Sequence, residues 1–272
     1  MTRSLNLNPL APQRFAEALR SLRERSPLVQ CLTNIVVANF TANVLLAAGC
    51  APAMVDNAQE AEGFAAISAG VLVNLGTPYQ ETVQAMRAAV RGAHGAGVPW
   101  VLDPVAAGAV PWRTSIALEL LAGLPPTIVR GNGSEILALA GGSGGKGVES
   151  TAGADQAVEV AALLARERHT VVAVSGAVDQ ITDGERLVRI ANGHPHLTRV
   201  TGAGCALGAL MAGFAGVTDD ALLAAAAATA LLTVAADEAA RASHGPGSFA
   251  VALIDQLHLL TPEALAQRLK LA

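Results

Sequence analysis

The sequence is poor in charge, in aromatic rings and in cysteine. Only 15% of its 272 residues are charged and the net charge is −4. With no basic block either, nucleic acid is disfavoured as the main partner. Aromatic residues make up 3%, so stacking platforms for bases are scarce. The three cysteines, Cys31, Cys50 and Cys205, are far apart, odd in number and without a C-x-x-C pair. That pattern favours a reducing compartment and no structural zinc. Arg3, Arg14, Arg20, Arg23 and Arg25 are spread through the first stretch of chain with no apolar run between them, so no signal peptide is expected. The most membrane-like run, 221–236, is mostly alanine and lies between Asp219-Asp220 and Asp237-Glu238. It reads as a helix packed on all sides rather than a span. A cytoplasmic protein is expected.

What is plentiful is apolar surface. Apolar residues make up 52%, which excludes disorder for most of the chain. No linker and no repeat is visible, so one domain over 1–272 is the simplest reading, with 1–11 a loose arm. Short continuous apolar runs recur at 27–32, 52–55, 71–75, 98–102, 127–130 and 170–174, most followed by helical spacing. Strands alternating with helices signal an α/β fold with a mostly parallel sheet covered on both faces. Residues 180–182 and 186–190, separated by Asp183-Gly184, read as an antiparallel hairpin at one edge. Three helix starts are expected from local signals: Thr33-Asn34 as a cap, Asn57 to Glu60 as a capping box, and Thr77-Pro78 as cap and first position.

The chemistry is expected at Val200-Thr201-Gly202-Ala203-Gly204-Cys205, a glycine bend opening an apolar helix. Such a bend presents unpaired N–H groups at the positive end of the helix dipole, an anion hole suited to phosphate. Cys205 sits at its lip. The dinucleotide fingerprint fails there, because the sixth position is Leu207. The Gly-rich run 141–147 with Lys146 fails as a P-loop, since Gly147 stands where a magnesium-binding Ser or Thr belongs, and reads as a surface loop. In open α/β sheets, ligands bind at the carboxyl ends of the strands. Those ends carry Thr33-Asn34, Met54, Gly76, Asp103, Arg130 and Ser175, which should converge with the bend on one rim. Asp103 before Pro104 could orient magnesium or simply make an Asp-Pro turn. Glu135 could do the same or close a capping box with Asn132. Arg130 could pair with phosphate or with a carboxylate. His194-Pro195-His196 reads as a plain loop.

Taken together, Pro27-Leu28-Val29 through Thr33-Asn34, Asn39 to Asn43, Leu102 to Val105, Arg130-Gly131-Asn132 with Glu135, Val200 to Cys205 and Gly245 to Phe249 are identified as a resemblance. From Ser26 to about Phe249 the chain resembles the hydroxyethylthiazole kinase family of the ribokinase-like superfamily. The resemblance implies ATP- and magnesium-dependent phosphorylation of 4-methyl-5-(2-hydroxyethyl)thiazole, a step of thiamin salvage. It implies a thiazole site of Asn34, Met54, Gly76 and Gly202, ATP contacts from Arg130 and Ser175, and magnesium held by Asp103 and Glu135. It also implies a homotrimer with active sites between subunits. Ala106-Ala107-Gly108 and His244 depart from the family pattern without touching this chemistry.

Most ribokinase-like enzymes carry aspartate as base where this chain has Cys205, and this family commonly has cysteine. A helix N-terminus lowers a thiol pKa and bound ATP raises it, so Cys205 is expected to be a weak base or a hydroxyl-orienting group. Two other readings stay open: a nucleotide-dependent dehydratase of damaged nicotinamide cofactors on the same fold, and a non-catalytic nucleotide sensor. The kinase for the pyrimidine half of thiamin matches these motifs less well.

Overall fold

In a computed structural model, residues 5–141 and 154–272 are described. Most of the Gly-rich run 141–147, Lys146 included, lies outside them. The described residues form one nine-stranded sheet in the order β1-β9-β8-β7-β6-β5-β4-β2-β3. Its strands are β1 (Asn6–Leu7), β2 (Leu28–Leu32), β3 (Ala51–Ala53), β4 (Gly70–Asn74), β5 (Trp100–Asp103), β6 (Ile128–Asn132), β7 (Val171–Ser175), β8 (Asp179–Thr182) and β9 (Arg186–Ile190). Neighbours run parallel except β8, which is antiparallel to both β7 and β9. The α/β class and the edge hairpin expected from the sequence are therefore present.

Consecutive strand residues face opposite ways, and each apolar run supplies two cores. Val29, Cys31, Leu72, Val101, Ile128 and Ala173 enter one core, with helices α1 (Pro12–Arg25), α2 (Ala38–Ala48), α8 (Ala203–Ala215), α9 (Ala221–Arg241) and α10 (Pro246–Leu259). Leu32, Val73, Leu102, Val129 and Val172 enter the other, with α3 (Ala61–Ile67), α4 (Gln80–Ala96), α5 (Pro111–Gly123), α6 (Gly133–Leu139) and α7 (Ala154–Arg168). A short α11 (Pro262–Arg268) closes against α1. α9 is long and apolar enough to cross a membrane, but 83% of its apolar window is buried inside the fold. It is the centre of the first core, which is why alanine dominates it: neighbours approach from every side.

Within the arm expected over 1–11, residues 6–8 are tied to the sheet. β1 pairs with β9, Asn6 opposite Arg186. Asn8 then donates to the Ala272 carbonyl at 2.8 Å and accepts from the Arg189 N–H at 2.9 Å. An added strand covers unpaired backbone groups along β9.

All three expected helix starts are displaced. α2 begins after Val37, with no side-chain cap. α3 follows Glu60, while Asn57 accepts from the Gln59 N–H in a local turn. α4 starts at Gln80, and Thr77 Oγ1 accepts instead from the Ile35 N–H at 3.2 Å. In each case the polar side chain is taken by a nearer or a tertiary partner, an alternative always open to Asn and Thr.

Candidate active site

The carboxyl ends of β2, β4, β5, β6 and β7 bring polar side chains into one hydrogen-bonded chain. Asn34 Nδ2 donates to Asn74 Oδ1 at 2.9 Å and reaches Cys205 Sγ at 3.5 Å. Asn74 Nδ2 donates to Asp103 Oδ2 at 2.7 Å. Arg130 Nη1 lies 3.3 Å from both Asp103 oxygens, and its Nη2 donates to Ser175 Oγ at 3.1 Å. Asn34, Asn74, Asp103 and Arg130 are all buried. Parallel neighbours in register carry these groups to the same height, as Asn74 lies opposite Asp103 and Asn132 opposite Ser175.

The bend at 202–205 lies against this chain. Gly202 has φ +95° and precedes α8, whose first internal bond runs from the Ala206 N–H to the Gly202 carbonyl at 2.8 Å. The N–H groups of Ala203, Gly204 and Cys205 therefore precede the helical ladder and are free for an anion. A side-chain carbon at Gly204 would lie 3.0 Å from Arg130 Nη2, and one at Gly208 would lie 3.7 Å from Asp103 Oδ2. The amides, the guanidinium and the carboxylate thus share one side of the sheet.

Electrostatics set the charge of each group. Burial pushes the Asp103 carboxyl up to about 6; Arg130 opposes this, Glu135 adds to it, and Asn74 opposes it further. Burial, opposed by the Gly176 N–H and Arg130, likewise pushes Asp179 to about 6. Burial first, then Asp103, raises the Cys205 thiol pKa, outweighing Asn74, Arg130 and Asn34. The lowering expected of a helix N-terminus does not prevail, because burial and the neighbouring Asp103 carboxylate outweigh it. Cys205 is a neutral thiol at neutral pH.

Glu135 forms the capping box read from the sequence. Its Oε2 accepts from the Asn132 N–H at 2.8 Å, and Asn132 Oδ1 accepts from the Glu135 N–H at 2.9 Å. Its Oε1 also accepts from the Ala106 N–H at 2.9 Å, which ties it to the turn after Asp103. Gly76 abuts Asn34, with its N–H on Asn74 Oδ1 at 3.0 Å. Met54 stands apart from the hydrogen-bonded chain, 36% exposed on the segment after β3. Beside Arg130, Ser175 and Gly204 opens a cavity of about 590 Å³, walled by the segment from Asn192 to Thr198 and by Asp179.

Two site residues escaped the sequence reading. Asn74 was absorbed into an apolar strand, although a lone amide inside Val71–Leu75 signals a buried group in need of partners. Asp179 opens β8 with no such signal.

A family model described as the hydroxyethylthiazole kinase family matches residues 19–263. The chain belongs to the hydroxyethylthiazole kinase family. It is 59% identical over 258 residues to a hydroxyethylthiazole kinase of Clavibacter sepedonicus, covering 94% of each chain. Among solved structures it is similar to the hydroxyethylthiazole kinase protein of Pyrococcus horikoshii OT3. There the TM-score is 0.88 at 39% identity, over 95% of this chain and 98% of that one. A ribokinase-like superfamily protein of Enterococcus faecalis shares the fold at TM-score 0.65 and 11% identity, over 93% of this chain and 95% of that one. The family's fold is therefore ribokinase-like, as the resemblance implied.

Proposed function

We propose that the protein transfers the γ-phosphoryl group of ATP to the primary hydroxyl of 4-methyl-5-(2-hydroxyethyl)thiazole, forming the phosphate used in thiamin salvage. Family membership supports the reaction. The observation that carries the chemistry is the set of free amides at 203–205 packed against the Arg130–Asp103 pair at the mouth of the cavity. ATP fills the cavity, with Arg130 and Ser175 on its phosphates. The bend amides hold the migrating phosphoryl group, so charge that develops on its oxygens meets donors already in place. Asn34, Gly76 and Gly202 line the thiazole side, which Met54 closes from a neighbouring copy. The Cys205 thiol, neutral and held by Asn34, orients the hydroxyl instead of removing its proton. The O–P bond to the alcohol forms as the bond to ADP breaks, and the hydroxyl proton passes late to an oxygen of the transferred phosphoryl group.

Magnesium fits Asp103 and Glu135. Among the described residues no group of three or more His, Cys, Asp or Glu side chains could hold a metal. Two carboxylates suit a hydrated magnesium shared with substrate phosphates. Asp103 Oδ1 and both Glu135 oxygens each accept one hydrogen bond and keep a second lone pair for a magnesium-bound water, whereas Asp103 Oδ2 is taken by Asn74 and Arg130. When bound, the ion neutralises charge on the transferring phosphates.

A homotrimer accompanies this reading. Ile35 is 75% exposed, Val36 65% and Tyr79 61%, and they follow the carboxyl ends of β2 and β4 as Met54 follows that of β3. A second copy would cover them and bring Met54 toward a neighbouring site. Sedimentation at three times the chain mass checks this.

Incubation with ATP, magnesium and a panel of small alcohols, read by product mass, tests the activity; no phosphorylated thiazole alcohol would refute it. In the same assay Cys205→Ala should lower kcat about tenfold, less than the roughly 10²–10⁴-fold of a true general base because positioning and charge neutralisation dominate this transfer, while Cys205→Asp keeps or raises it. Complete loss in the alanine variant with ATP still bound would contradict an orienting role.

A further inference from the structure

Asn192 and Asp237 have no part in the reaction above, yet they anchor one wall of the cavity. Asn192 is 4% exposed, and every polar atom of its side chain is used. Its Nδ2 donates to Asp237 Oδ2 at 2.9 Å and to the Arg268 carbonyl at 3.0 Å, and its Oδ1 accepts from the Lys270 N–H at 2.7 Å. The Gly193 N–H donates to the other Asp237 oxygen at 3.1 Å, and Lys270 Nζ lies 3.3 Å from the first. One carboxylate thus gathers a side-chain amide, a backbone amide and an ammonium.

Position gives this cluster its consequence. Gly193 has φ +124° and turns the chain from β9 into the 3-10 turn Pro195–Arg199. Thr233, which lines the cavity, lies one helical turn before Asp237 on the same face of α9. The Asp237 carboxylate therefore pins the chain at 192–193 to the rigid central helix, directly behind the wall that runs from Asn192 to Thr198. A wall held in place before the ligand arrives spares the cost of ordering it on binding.

We propose that Asp237 is a positioning residue for the nucleotide, acting through Asn192 and the Gly193 N–H to hold the cavity wall in its binding geometry. This rests on the reading that ATP occupies the cavity. The site of phosphoryl transfer and the thiazole pocket are held by other residues, so the effect falls on the nucleotide alone.

The test compares Asp237→Ala and Asp237→Asn with Glu238→Gln. Glu238 is the next residue on α9; it pairs with Arg268 at 3.3 Å and does not reach the wall. ATP affinity is measured by calorimetry on folded protein and KM and kcat by turnover. Asp237→Ala should raise Kd and KM for ATP about tenfold, the size of one lost hydrogen bond to a charged group. Its kcat and its KM for the thiazole alcohol should stay near wild type. Asp237→Asn, which keeps one acceptor but sets an NH₂ group among donors, should show a smaller rise in the same constant, and Glu238→Gln none. Should Asp237→Ala fail to fold, the asparagine variant decides. An unchanged ATP Kd in the folded Asp237 variants, or a parallel rise in KM for both substrates, would overturn the inference. A wild-type protein that binds ATP without phosphorylating the alcohol would sink the proposed activity and leave the Kd comparison standing. One that does not bind ATP would sink both.

Discussion

Arg130→Met is expected to lower kcat about a thousandfold, within the range seen when a charge that stabilises a transferring phosphoryl group is removed. The guanidinium spans Asp103 and Ser175 and lies under Gly204, so it joins the carboxylate to the phosphate cradle. Methionine keeps the bulk and removes the charge. Arg130→Lys should recover only part of the loss, because an ammonium cannot serve both partners with a planar fork. Turnover near wild type in the methionine variant would exclude the role given to this residue.

The same substitution carries a pH signature in the ligand-free protein. Burial already holds Asp103 near 6 with Arg130 beside it, and losing that cation raises the value further. A carboxyl whose folded pKa lies above its unfolded one penalises folding at pH above the folded value. The penalty is relieved as pH falls through that value toward the unfolded one. Denaturant midpoints should therefore show Arg130→Met losing more stability against wild type at about pH 8 than at about pH 5, since breaking a buried pair leaves the survivor charged only at the higher pH. An equal loss at both would mean that Asp103 does not feel Arg130.

Gly202→Val is expected to cut kcat/KM about a hundredfold, the scale of losing preorganised donors around a developing anion. Two effects combine. The backbone sits at φ +95°, a conformation that a β-branched residue adopts only under strain. The new side-chain carbon would also lie 2.9 Å from Val37 Cγ1 and 3.1 Å from Phe40 Cδ1. Relief requires the bend to move, and the amides of 203–205 move with it. Gly202→Ala should show the same loss to a smaller degree. A valine variant with unchanged kinase activity would rule out the bend as the phosphate cradle.

Which of these groups could be read before folding follows from how each is specified. Asp103, Arg130 and Ser175 end apolar runs, and a run's end is a local feature. Gly202 and Gly204 stand before an apolar helix, also locally visible. Asn34 looked like a helix cap because Asn before a helical pattern usually is one. It instead spans to Asn74 and Cys205, 40 and 171 residues away. Thr77 was diverted in the same manner to Ile35. Asn192 carried no local mark and Asp237 only that of an acid flanking the alanine run, since their pairing closes a gap of 45 residues between a loop and the C-terminal part of a helix.

Taken alone, then, the order of residues determined the α/β class, the edge hairpin, the buried alanine helix and the family, because apolar period and motif spacing are properties of neighbouring residues. Tertiary structure alone decided that burial and Asp103 outweigh the helix N-terminus at the Cys205 thiol, that Asp103 is matched to Arg130 and that Asp237 braces the cavity wall. Charge state and hydrogen-bond partnership depend on burial and on groups brought close by packing, and neither is written in any one stretch of chain.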